Sequence, residues 1–383
     1  MPDGDGAAMD LIAEKKSLVR LLQRCQGVAD KRSTMPVLAN VLLSADQRQI
    51  HVAATDLYVS VSGTADAEVT QAGSVALPAR DLFERIKAMP EGAIQILVKD
   101  GGSTTIQAVG SARRYTLHGL PGADFPTLPE PAADAPMIEL SVETVAQLIN
   151  RTHFSVSTDE TRPHLNSALF QCEDGRVRMV TTDGHRLSKM EIAVDALAAK
   201  TTMLLPLKAI VELRRLADEV TTNRADTLMR ISQSGPNAFF DIADIRFSVK
   251  LVDAQFPPYE QVIPAVTDRA VQAPRLALAE ALRAVALAAS DRTGGVKLSA
   301  GNKVLRVTSE SPESGNGFDE LEVDYPGPDV VVGFNARYLL DVLGAMDCEA
   351  VTLGLSGELD PAVVKPADSE HDLYVAVVMP MRI

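Results

Sequence analysis

The sequence lacks tryptophan, and aromatic residues make up only 4 % of its 383 residues. Apolar residues still account for 46 %, so the cores must be built mainly from valine, leucine, isoleucine and alanine. The three cysteines, Cys25, Cys172 and Cys348, are odd in number and far apart, which fits neither a disulfide framework nor a zinc site. This usage is typical of a reducing compartment and predicts a cytoplasmic protein.

Several functional segments are also missing. No apolar run approaches the roughly 18 residues that a membrane span requires. The opening residues, MPDGDGAAMDL, contain neither the basic nor the apolar region of a signal peptide, and we expect residues 1–8 to be a disordered extension. No phosphate-binding loop is present, and none of the six histidines has a metal-ligand spacing with another His or Cys. The sequence therefore predicts no cofactor and no metal.

The formal net charge is −14. An acidic total argues against nucleic-acid binding, because that binding draws most of its affinity from phosphate neutralisation. A ligand responds to the local distribution of charge, however, and not to the total.

The chain repeats itself three times. Residues 40–56 read NVLLSADQRQIHVAATD, residues 167–183 read SALFQCEDGRVRMVTTD, and residues 295–310 read GVKLSAGNKVLRVTSE. Asp56, Asp183 and Glu310 are thus spaced by 127 residues. A second element recurs in step, as LPARDLF, LPLKAIV and FNARYLL. Solenoid units are roughly 20 to 50 residues long, so this period indicates three copies of a whole domain.

Each copy predicts an α+β domain of two helices and a larger number of strands. The first helix carries Leu18, Leu21, Leu22 and Cys25 on one face; the matching helices carry Val145, Leu148 and Ile149, and Leu278, Leu282 and Val285. We place the second helices near residues 78–89, 206–220 and 335–346, with Pro78 and Pro206 in a first turn and Asn335 as an N-cap. Pro-rich segments divide the chain into domains at 9–132, 133–266 and 267–383.

Basic residues recur on the predicted helices. Lys16, Arg20 and Arg24 are spaced by four residues, and Arg80, Lys208 and Arg337 match one another at the start of the second helices. A solvated helix face explains any one of them. Three matching positions also allow one ring of positive charge, if the copies are arranged around an axis.

The segment Thr182-Asp183-Gly184-His185-Arg186-Leu187 suggests catalysis at first sight. Asp183 and His185 supply an orienting carboxylate and a base, so a hydrolase is one hypothesis. No nucleophile motif accompanies them, and Asp56-Leu57 occupies the same place in the first copy without a histidine. A turn aspartate is the competing interpretation.

From Met9 to the C-terminus the chain resembles the bacterial DNA polymerase III beta subunit, the sliding-clamp family. The motifs that carry the resemblance are MPVLANVLL, ATDL, LPARDLFERI, YTLHGLPGADFP, TTDGHRL, KLVDAQFPPYEQVIP and VVMPMRI. The resemblance implies three domains of the DNA-clamp fold, each with two helices packed on antiparallel sheets. It implies a non-catalytic processivity factor whose head-to-tail homodimer forms a six-domain ring around duplex DNA.

The resemblance also implies binding residues. Arg32, Arg80 and His164 match DNA-contacting positions. His164 stands where better-known members have an aromatic residue, and Pro163 beside it departs from the family as well. Arg20, Arg24 and Lys208 join this set from the helix pattern. A pocket for short peptides of polymerases, the clamp loader and repair proteins is implied at Leu165, Thr182, Gly184, His185, Arg186, Leu187, Pro257, Gln261, Val262, Leu359, Pro361, Val377, Val378, Met379, Pro380, Met381 and Arg382. Gln261 stands where several relatives carry arginine.

The implied dimer contact joins an edge strand of the first domain, with Tyr115 and Leu117, to the region of Ala288 and Ala289 in the third. Pairing two edges hides backbone groups that otherwise promote aggregation. A three-domain scaffold without a DNA role is the remaining alternative, and it predicts an association with DNA that responds little to salt.

Overall fold

A computed structural model describes residues 7–30, 33–194, 200–223, 227–265, 267–290, 294–368 and 374–382. The first copy contains, in chain order, β1 (Ala7–Glu14), α1 (Lys15–Cys25), β2 (Asn40–Asp46), β3 (Gln49–Thr55), β4 (Val59–Gln71), β5 (Gly73–Pro78), α2 (Ala79–Lys87), β6 (Ala93–Lys99), β7 (Ser103–Ala108), β8 (Arg114–His118) and the short β9 (Leu120–Pro121).

The second copy contains β10 (Met137–Ser141), α3 (Val142–Thr152), β11 (Ser167–Glu173), β12 (Arg176–Thr182), β13 (Arg186–Ala193), β14 (Thr201–Pro206), α4 (Leu207–Asn223), β15 (Leu228–Ser234), β16 (Asn237–Ile242) and β17 (Ile245–Lys250). The third contains β18 (Arg269–Pro274), α5 (Arg275–Ala286), β19 (Gly295–Gly301), β20 (Val304–Ser311), β21 (Gly315–Glu322), β22 (Val330–Asn335), α6 (Ala336–Gly344), β23 (Ala350–Leu355), β24 (Ala362–Pro366) and β25 (Val375–Val378). Apart from β9, each copy repeats one order of strand, helix, four strands, helix and three strands, which confirms the threefold repeat and the α+β class.

The helix predictions are confirmed, with small shifts at the ends. All ten apolar residues predicted for the inner faces of α1, α3 and α5 are buried. Asn335 caps α6, because its side chain accepts a hydrogen bond from the Arg337 N–H at 2.9 Å. Pro78 and Pro206 end the preceding strands instead of entering the first helical turn. None of the helices in the described ranges is long and apolar enough to cross a membrane.

The described residues form two compact units. The first comprises residues up to 142 and 215–251, and the second comprises 143–214 and 252–382. In the first unit one sheet runs in the order β10-β15-β16-β17-β4-β1-β6-β7-β8, joined by β2, β3, β5 and β9. The second unit has an eight-stranded sheet, β14-β11-β12-β13-β25-β24-β23-β18, and a four-stranded sheet, β21-β20-β19-β22.

The last strand of each later copy pairs with the copy before it. β17 pairs with β4, and β25 pairs with β13, both antiparallel. Because each later copy adds its last strand to the sheet of the copy before it, the compact units do not coincide with the three repeats. The predicted three-domain division stays a prediction.

Two expectations need correction. Ala7 and Ala8 already belong to β1, so regular structure begins two residues before the predicted Met9; residues 1–6 lie outside the described residues. In the third copy the turn residue that matches Asp56 and Asp183 is Ser311, not Glu310. Ser311 ends β20, and its Oγ accepts hydrogen bonds from the N–H groups of Glu313 and Ser314 at 3.3 and 3.4 Å.

Arg24 also departs from its predicted place on a solvent-facing basic row. Its side chain is 4 % exposed, with Nη2 2.9 Å from Glu219 Oε1 and Nη1 2.9 Å from Asp244 Oδ2. Burial raises the pKa of Asp244, but the hydrogen bond and charge of Arg24 outweigh it, so that pKa lies below its usual value. Arg24 therefore joins α1 to α4 and to the turn between β16 and β17, and its charge is not available to a ligand.

We predict that Arg24→Ala lowers the free energy of unfolding of the first unit by about 2–3 kcal/mol. Removing one partner of a buried ion pair costs about 3–5 kcal/mol, and the side chains of Glu219 and Asp244 are roughly 30 % exposed, which reduces that cost. Urea denaturation followed by circular dichroism measures the change. Arg20→Ala is the matched control, because Arg20 is 48 % exposed and 3.3 Å from the same Asp244, and it should cost less than about 1 kcal/mol. Equal effects of the two substitutions would contradict this assignment.

Candidate functional site

The hairpin between β12 and β13 is held by its aspartate. Asp183 Oδ1 accepts hydrogen bonds from the N–H groups of His185 and Arg186 at 2.9 and 3.0 Å. Thr182 Oγ1 donates to the Arg186 carbonyl at 2.7 Å. Gly184 adopts φ +91°, a conformation that glycine adopts without strain. The carboxylate thus shapes the turn, as the turn interpretation predicted.

The first copy contains the same turn. Asp56 Oδ1 accepts from the N–H groups of Tyr58 and Val59 at 2.8 and 2.6 Å. Leu57 takes the place of Gly184 and adopts φ +75°. The shared geometry without a histidine shows that Asp183 and its match serve the fold. Among the described residues no hydrogen bond joins the Asp183 carboxylate to the His185 ring, so the geometry does not support a catalytic dyad.

Arg186 lies at the centre of this site and is only 8 % exposed. Its guanidinium is 3.1 Å from Asp183 Oδ2 and 2.6 Å from Asp341 Oδ2, and it donates to the Phe154 carbonyl at 2.5 Å. It also lies 4.5 Å from the ring centroid of Tyr338, which is cation–π distance. Arg186 therefore anchors the hairpin to α6 and is not itself an exposed wall of a pocket.

His185 is exposed and faces α6. Its ring stacks on Tyr338, with centroids 6.4 Å apart and planes 22° apart. Its carbonyl accepts a hydrogen bond from the Met379 N–H at 2.9 Å. The hairpin consequently fixes the residues that follow β25.

An apolar floor lies beside the hairpin. Strand pairing places Leu187 opposite Thr182 on one side and opposite Val377 on the other. We define the floor by its buried cluster of Leu169, Val180, Leu187, Leu204, Tyr259 and Val377, against which Val252, Phe256, Ile263 and Val375 pack. The floor is thus built from four strands of the second copy, the last strand of the third copy and the segment that links the two copies.

Exposed apolar side chains border this floor. Val262, which follows the short 3-10 helix Tyr259–Gln261, is 41 % exposed, and Met379 is 37 % exposed. Leu359, 60 % exposed, and Pro361 precede β24, whose Ala362 pairs with Val378. Gln261 and Arg382 are exposed, Pro257, Pro380 and Met381 are half-buried, and Leu165 is buried. Apolar groups that stay exposed around a packed floor are typical of a site for a flexible apolar ligand.

The residues expected to face DNA have separate surroundings. Arg80 is exposed at the start of α2, and Lys208 is exposed in the first turn of α4. Arg20 is exposed on α1, and His164 is half-buried in the loop before β11. Arg24 is buried, and Arg32 lies outside the described residues.

The residues expected at a dimer contact lie at two sheet edges. Tyr115 and Leu117 are on β8, which ends the first unit's sheet, while β21 ends the four-stranded sheet. Ala288 and Ala289 follow α5 and are buried. Gly317 of β21 lies against Ala288, since a Cβ at Gly317 would be 3.1 Å from the Ala288 Cβ.

The described residues contain no cluster of histidine, cysteine or acidic side chains able to hold a metal ion. Cys25, Cys172 and Cys348 are free thiols, and burial raises the pKa of Cys25 and of Cys172 to about 12.

Sequence reasoning missed Tyr338, Asp341 and Phe154, which hold the hairpin. One signal was available for Tyr338. In the repeated elements LPARDLF, LPLKAIV and FNARYLL it occupies the position of Asp81 and Ala209, so an aromatic side chain appears in one copy only. Asp341 and the Phe154 carbonyl are 155 and 32 residues from Arg186, and no pattern in the sequence marks them.

Comparisons with known proteins cover almost the whole chain. The N-terminal, central and C-terminal domain families of the DNA polymerase III beta subunit match residues 9–129, 139–258 and 260–382. The beta sliding clamp of Escherichia coli K12 is 32 % identical over 376 residues, which is 98 % of this chain and 100 % of that protein.

Two solved structures of sliding clamps have a fold closely similar to that of this chain. A sliding clamp of Pseudomonas aeruginosa bound to griselimycin has a TM-score of 0.90 at 32 % identity, and a C. crescentus beta sliding clamp with polyethylene glycol in its proposed beta-motif tethering region has 0.90 at 29 %. The alignments cover 98 % and 99 % of this chain and 100 % of each relative. The chain belongs to the DNA polymerase III beta subunit family, the bacterial sliding clamps.

Proposed function

We propose that two copies of this chain close a ring around duplex DNA and tether the replicative polymerase to its template. The family consists of non-catalytic processivity subunits, so the chain is not an enzyme. The observation that carries the ring proposal is the strand exchange between copies. We further propose that the protein works in the bacterial cytoplasm, at the nucleoid.

The pairing of strands between successive copies follows one rule. The third of the four central strands of a copy pairs with the last strand of the next copy, as β4 does with β17 and β13 with β25. The corresponding strand of the third copy is β21. In the first copy β8 corresponds to β17 and β25, since the short β9 has no counterpart in the other copies. Both β21 and β8 are edge strands in the described residues, and an unpaired edge is a template for another chain. Pairing of β21 with β8 of a second chain continues the rule. The same pairing at the other end of the two chains closes a ring.

The repeat also predicts the register of this pairing. Asn316 of β21 takes the place of Ser60 in β4, since Glu310 faces Asn316 as Thr55 faces Ser60. Thr116 of β8 takes the place of Ser248 in β17, which faces Ser60. Thr116 of one chain is therefore expected to face Asn316 of the partner subunit.

This register brings complementary side chains opposite one another. It sets Tyr115 opposite Gly317 of the partner subunit, where the absent side chain leaves room for the ring to cover Ala288 of the partner subunit. An aromatic side chain packed over a strand glycine is a stabilising cross-strand arrangement. It also sets Arg114 opposite the 63 % exposed Phe318 of the partner subunit, an arrangement that favours a cation–π contact.

Basic side chains supply the contact with DNA in this proposal. The exposed Arg20, Arg80 and Lys208 are retained as the DNA-facing set, together with Arg32 and the half-buried His164. Arg24 is removed because its charge is used inside the first unit. Cations that neutralise phosphates release counterions and read no bases. A ring with such contacts holds duplex DNA of any sequence and can still slide.

The floor beside the Asp183 hairpin is the proposed partner pocket. It is largely preformed and apolar, and its rim carries the exposed Val262, Leu359 and Met379. Short peptides of the polymerase, the clamp loader and repair proteins are the proposed ligands, and recognition of this kind uses apolar anchors in a cleft. Griselimycin, which is bound to the Pseudomonas aeruginosa relative, is the proposed probe of the same pocket.

Retention on circular DNA tests the proposed function. The protein is loaded onto a nicked circular plasmid by the host's clamp loader and separated by gel filtration. A topological tether stays on the circle and is lost after a restriction enzyme linearises it, whereas a mock digest leaves it bound. Equal retention on both forms would contradict a ring.

We predict that Val262→Asp weakens griselimycin binding at least tenfold in isothermal titration, because a carboxylate at the rim must lose water when an apolar ligand binds. The fold should be unchanged, since Val262 is 41 % exposed. Val109→Asp is the control, because Val109 is 56 % exposed in a turn of the first unit, and it should bind griselimycin like the wild type. An unchanged affinity in the Val262 variant would place the ligand elsewhere.

A further inference from the structure

Three cations surround one carboxylate on the sheet face that carries the apolar floor. Glu191 Oε1 is 2.8 Å from Arg176 Nη1, and Glu191 Oε2 is 3.1 Å from both Arg178 Nε and Lys189 Nζ. We call these four residues the basic cluster. Glu191 is 6 % exposed, while Arg176, Arg178 and Lys189 are 45 %, 22 % and 21 % exposed. The cations therefore form the accessible part of the cluster.

The basic cluster has more positive charge than its own carboxylate can balance. Burial raises the pKa of Glu191, but the hydrogen bonds of Lys189 and Arg176 and the charges of Lys189 and Arg178 outweigh it, so the pKa lies below its usual value and the group stays ionised. One negative charge then faces three positive ones. Arg178 Nε is buried and has no hydrogen-bond partner in the part of the chain that the structure describes, despite its distance to Glu191.

Nearby acidic groups reduce this surplus without removing it. Glu173 of β11 lies opposite Arg176 and its charge also acts on Arg178, but it forms an ion pair with Lys200 as well. Glu260 interacts with the Tyr259 hydroxyl, which also lies within reach of Arg178. A local surplus of cations stands out in a chain whose net charge is −14, and its position next to Tyr259 connects it to the floor.

The cluster continues the floor along the same strands. On β13, Leu187 of the floor is followed two residues later by Lys189 and four residues later by Glu191, and residues two apart share a face. Lys189 lies between Val180 on one neighbouring strand and Val375 on the other, and both of these pack in or against the floor. Two residues cover about 6.6 Å of strand, so a ligand seated on the floor reaches the cluster with a flank of two to four residues.

We propose that the basic cluster binds acidic residues that flank the peptide held on the floor, and so selects partners with an acidic flank. The inference rests on the proposed partner pocket and adds a second, electrostatic subsite to it. A carboxylate of the ligand would pair with Arg176 and Lys189 and supply an acceptor near Arg178 Nε. Apolar anchors then supply affinity, and the flanking charge discriminates between partners.

Two synthetic peptides test the proposal by fluorescence anisotropy. Both carry a core of two leucines and one phenylalanine for the floor, flanked on each side by three glutamates in one peptide and by three glutamines in the other. We expect the glutamate peptide to bind about three- to tenfold more tightly at low salt, the gain of about two exposed ion pairs. The difference should vanish near 1 M salt, where the Debye length is about 3 Å. Equal affinities at low salt would overturn the proposal.

Substitutions locate the effect. Arg176→Gln/Lys189→Gln should abolish the difference between the peptides and leave the glutamine peptide unchanged, which also shows that the fold and the floor are intact. Glu191→Gln should increase the difference, because it removes the competing carboxylate. Arg230→Gln/Arg246→Gln, which removes the same charge from one exposed and one half-buried strand residue of the first unit, should behave as wild type. A difference that survives the first variant, or that is lost equally in the last, would overturn the assignment.

Competition separates this inference from the pocket on which it rests. Griselimycin should displace both peptides. If the glutamate peptide stays bound when griselimycin occupies its site, the cluster is not an extension of that pocket. If griselimycin does not bind, the pocket itself has failed. If a labelled single-stranded oligonucleotide loses affinity in Arg176→Gln/Lys189→Gln as strongly as the glutamate peptide does, the cluster is a nucleic-acid site and the proposal is wrong.

Discussion

Antiparallel pairing between strands of successive copies is the constraint on which the structure depends. Every strand edge exposes backbone N–H and C=O groups that need partners. Each copy leaves one edge open at its third central strand, and the next copy covers it with its last strand, as β17 does for β4 and β25 does for β13. Strand pairing thus joins each copy of the domain to the next. Three copies joined in this way leave one unpaired strand edge at each end.

The proposed partner pocket depends on the second of these pairings. At the first junction the turn after Asp56 carries Leu57 and Tyr58, and Val59 is a small buried strand residue. At the second junction the matching turn carries Gly184 and His185, and Arg186 takes the place of Val59. Its guanidinium ties the turn to α6, and the His185 carbonyl fixes the chain beyond β25. The same strand pairing is therefore purely structural at the first junction. At the second junction its different side chains build a floor with an exposed rim.

Local patterns in the sequence predicted several features that depend on neighbours along the chain. The apolar faces of three helices, the Asn335 cap and the turn role of Asp183 follow from spacing and residue type, and all are found. The burial of Arg24 could not be predicted in this way, because its carboxylate partners are 195 and 220 residues away. A helical period shows that Arg24 lies beside the apolar face but not that another helix covers it.

The turn at Asp183, which recurs at Asp56, could be predicted from the sequence. The residues of α6 that hold this turn could not be assigned to the site in the same way. The resemblance supplied the hairpin and the C-terminal strand. Tyr338 lies in the repeated element of the third copy and Asp341 directly follows that element, and no local pattern places either residue beside the hairpin. Glu310 was expected at the third-copy turn because it continues the 127-residue spacing of Asp56 and Asp183. Strand pairing instead aligns Gly295–Ser311 with Asn40–Asp56, and the hydrogen bonds of Ser311 mark the equivalent position. The basic cluster has no signature in the sequence, since its cations come from two strands and form a group only when β12 and β13 are set in register.

The central claim is that the strand pairing found twice within the chain occurs a third time between chains. The most direct test is a disulfide across the predicted register, in the double variant Thr116→Cys/Asn316→Cys. Side chains directly opposite in an antiparallel pair have Cβ atoms about 4.5–5.5 Å apart, close enough for a disulfide after a small adjustment. On mild oxidation we predict a covalent dimer on non-reducing gels, and none from Thr116→Cys/Phe318→Cys, whose cysteines lie two residues out of register. A protein that stays monomeric, or that cross-links equally well in both variants, would contradict the account.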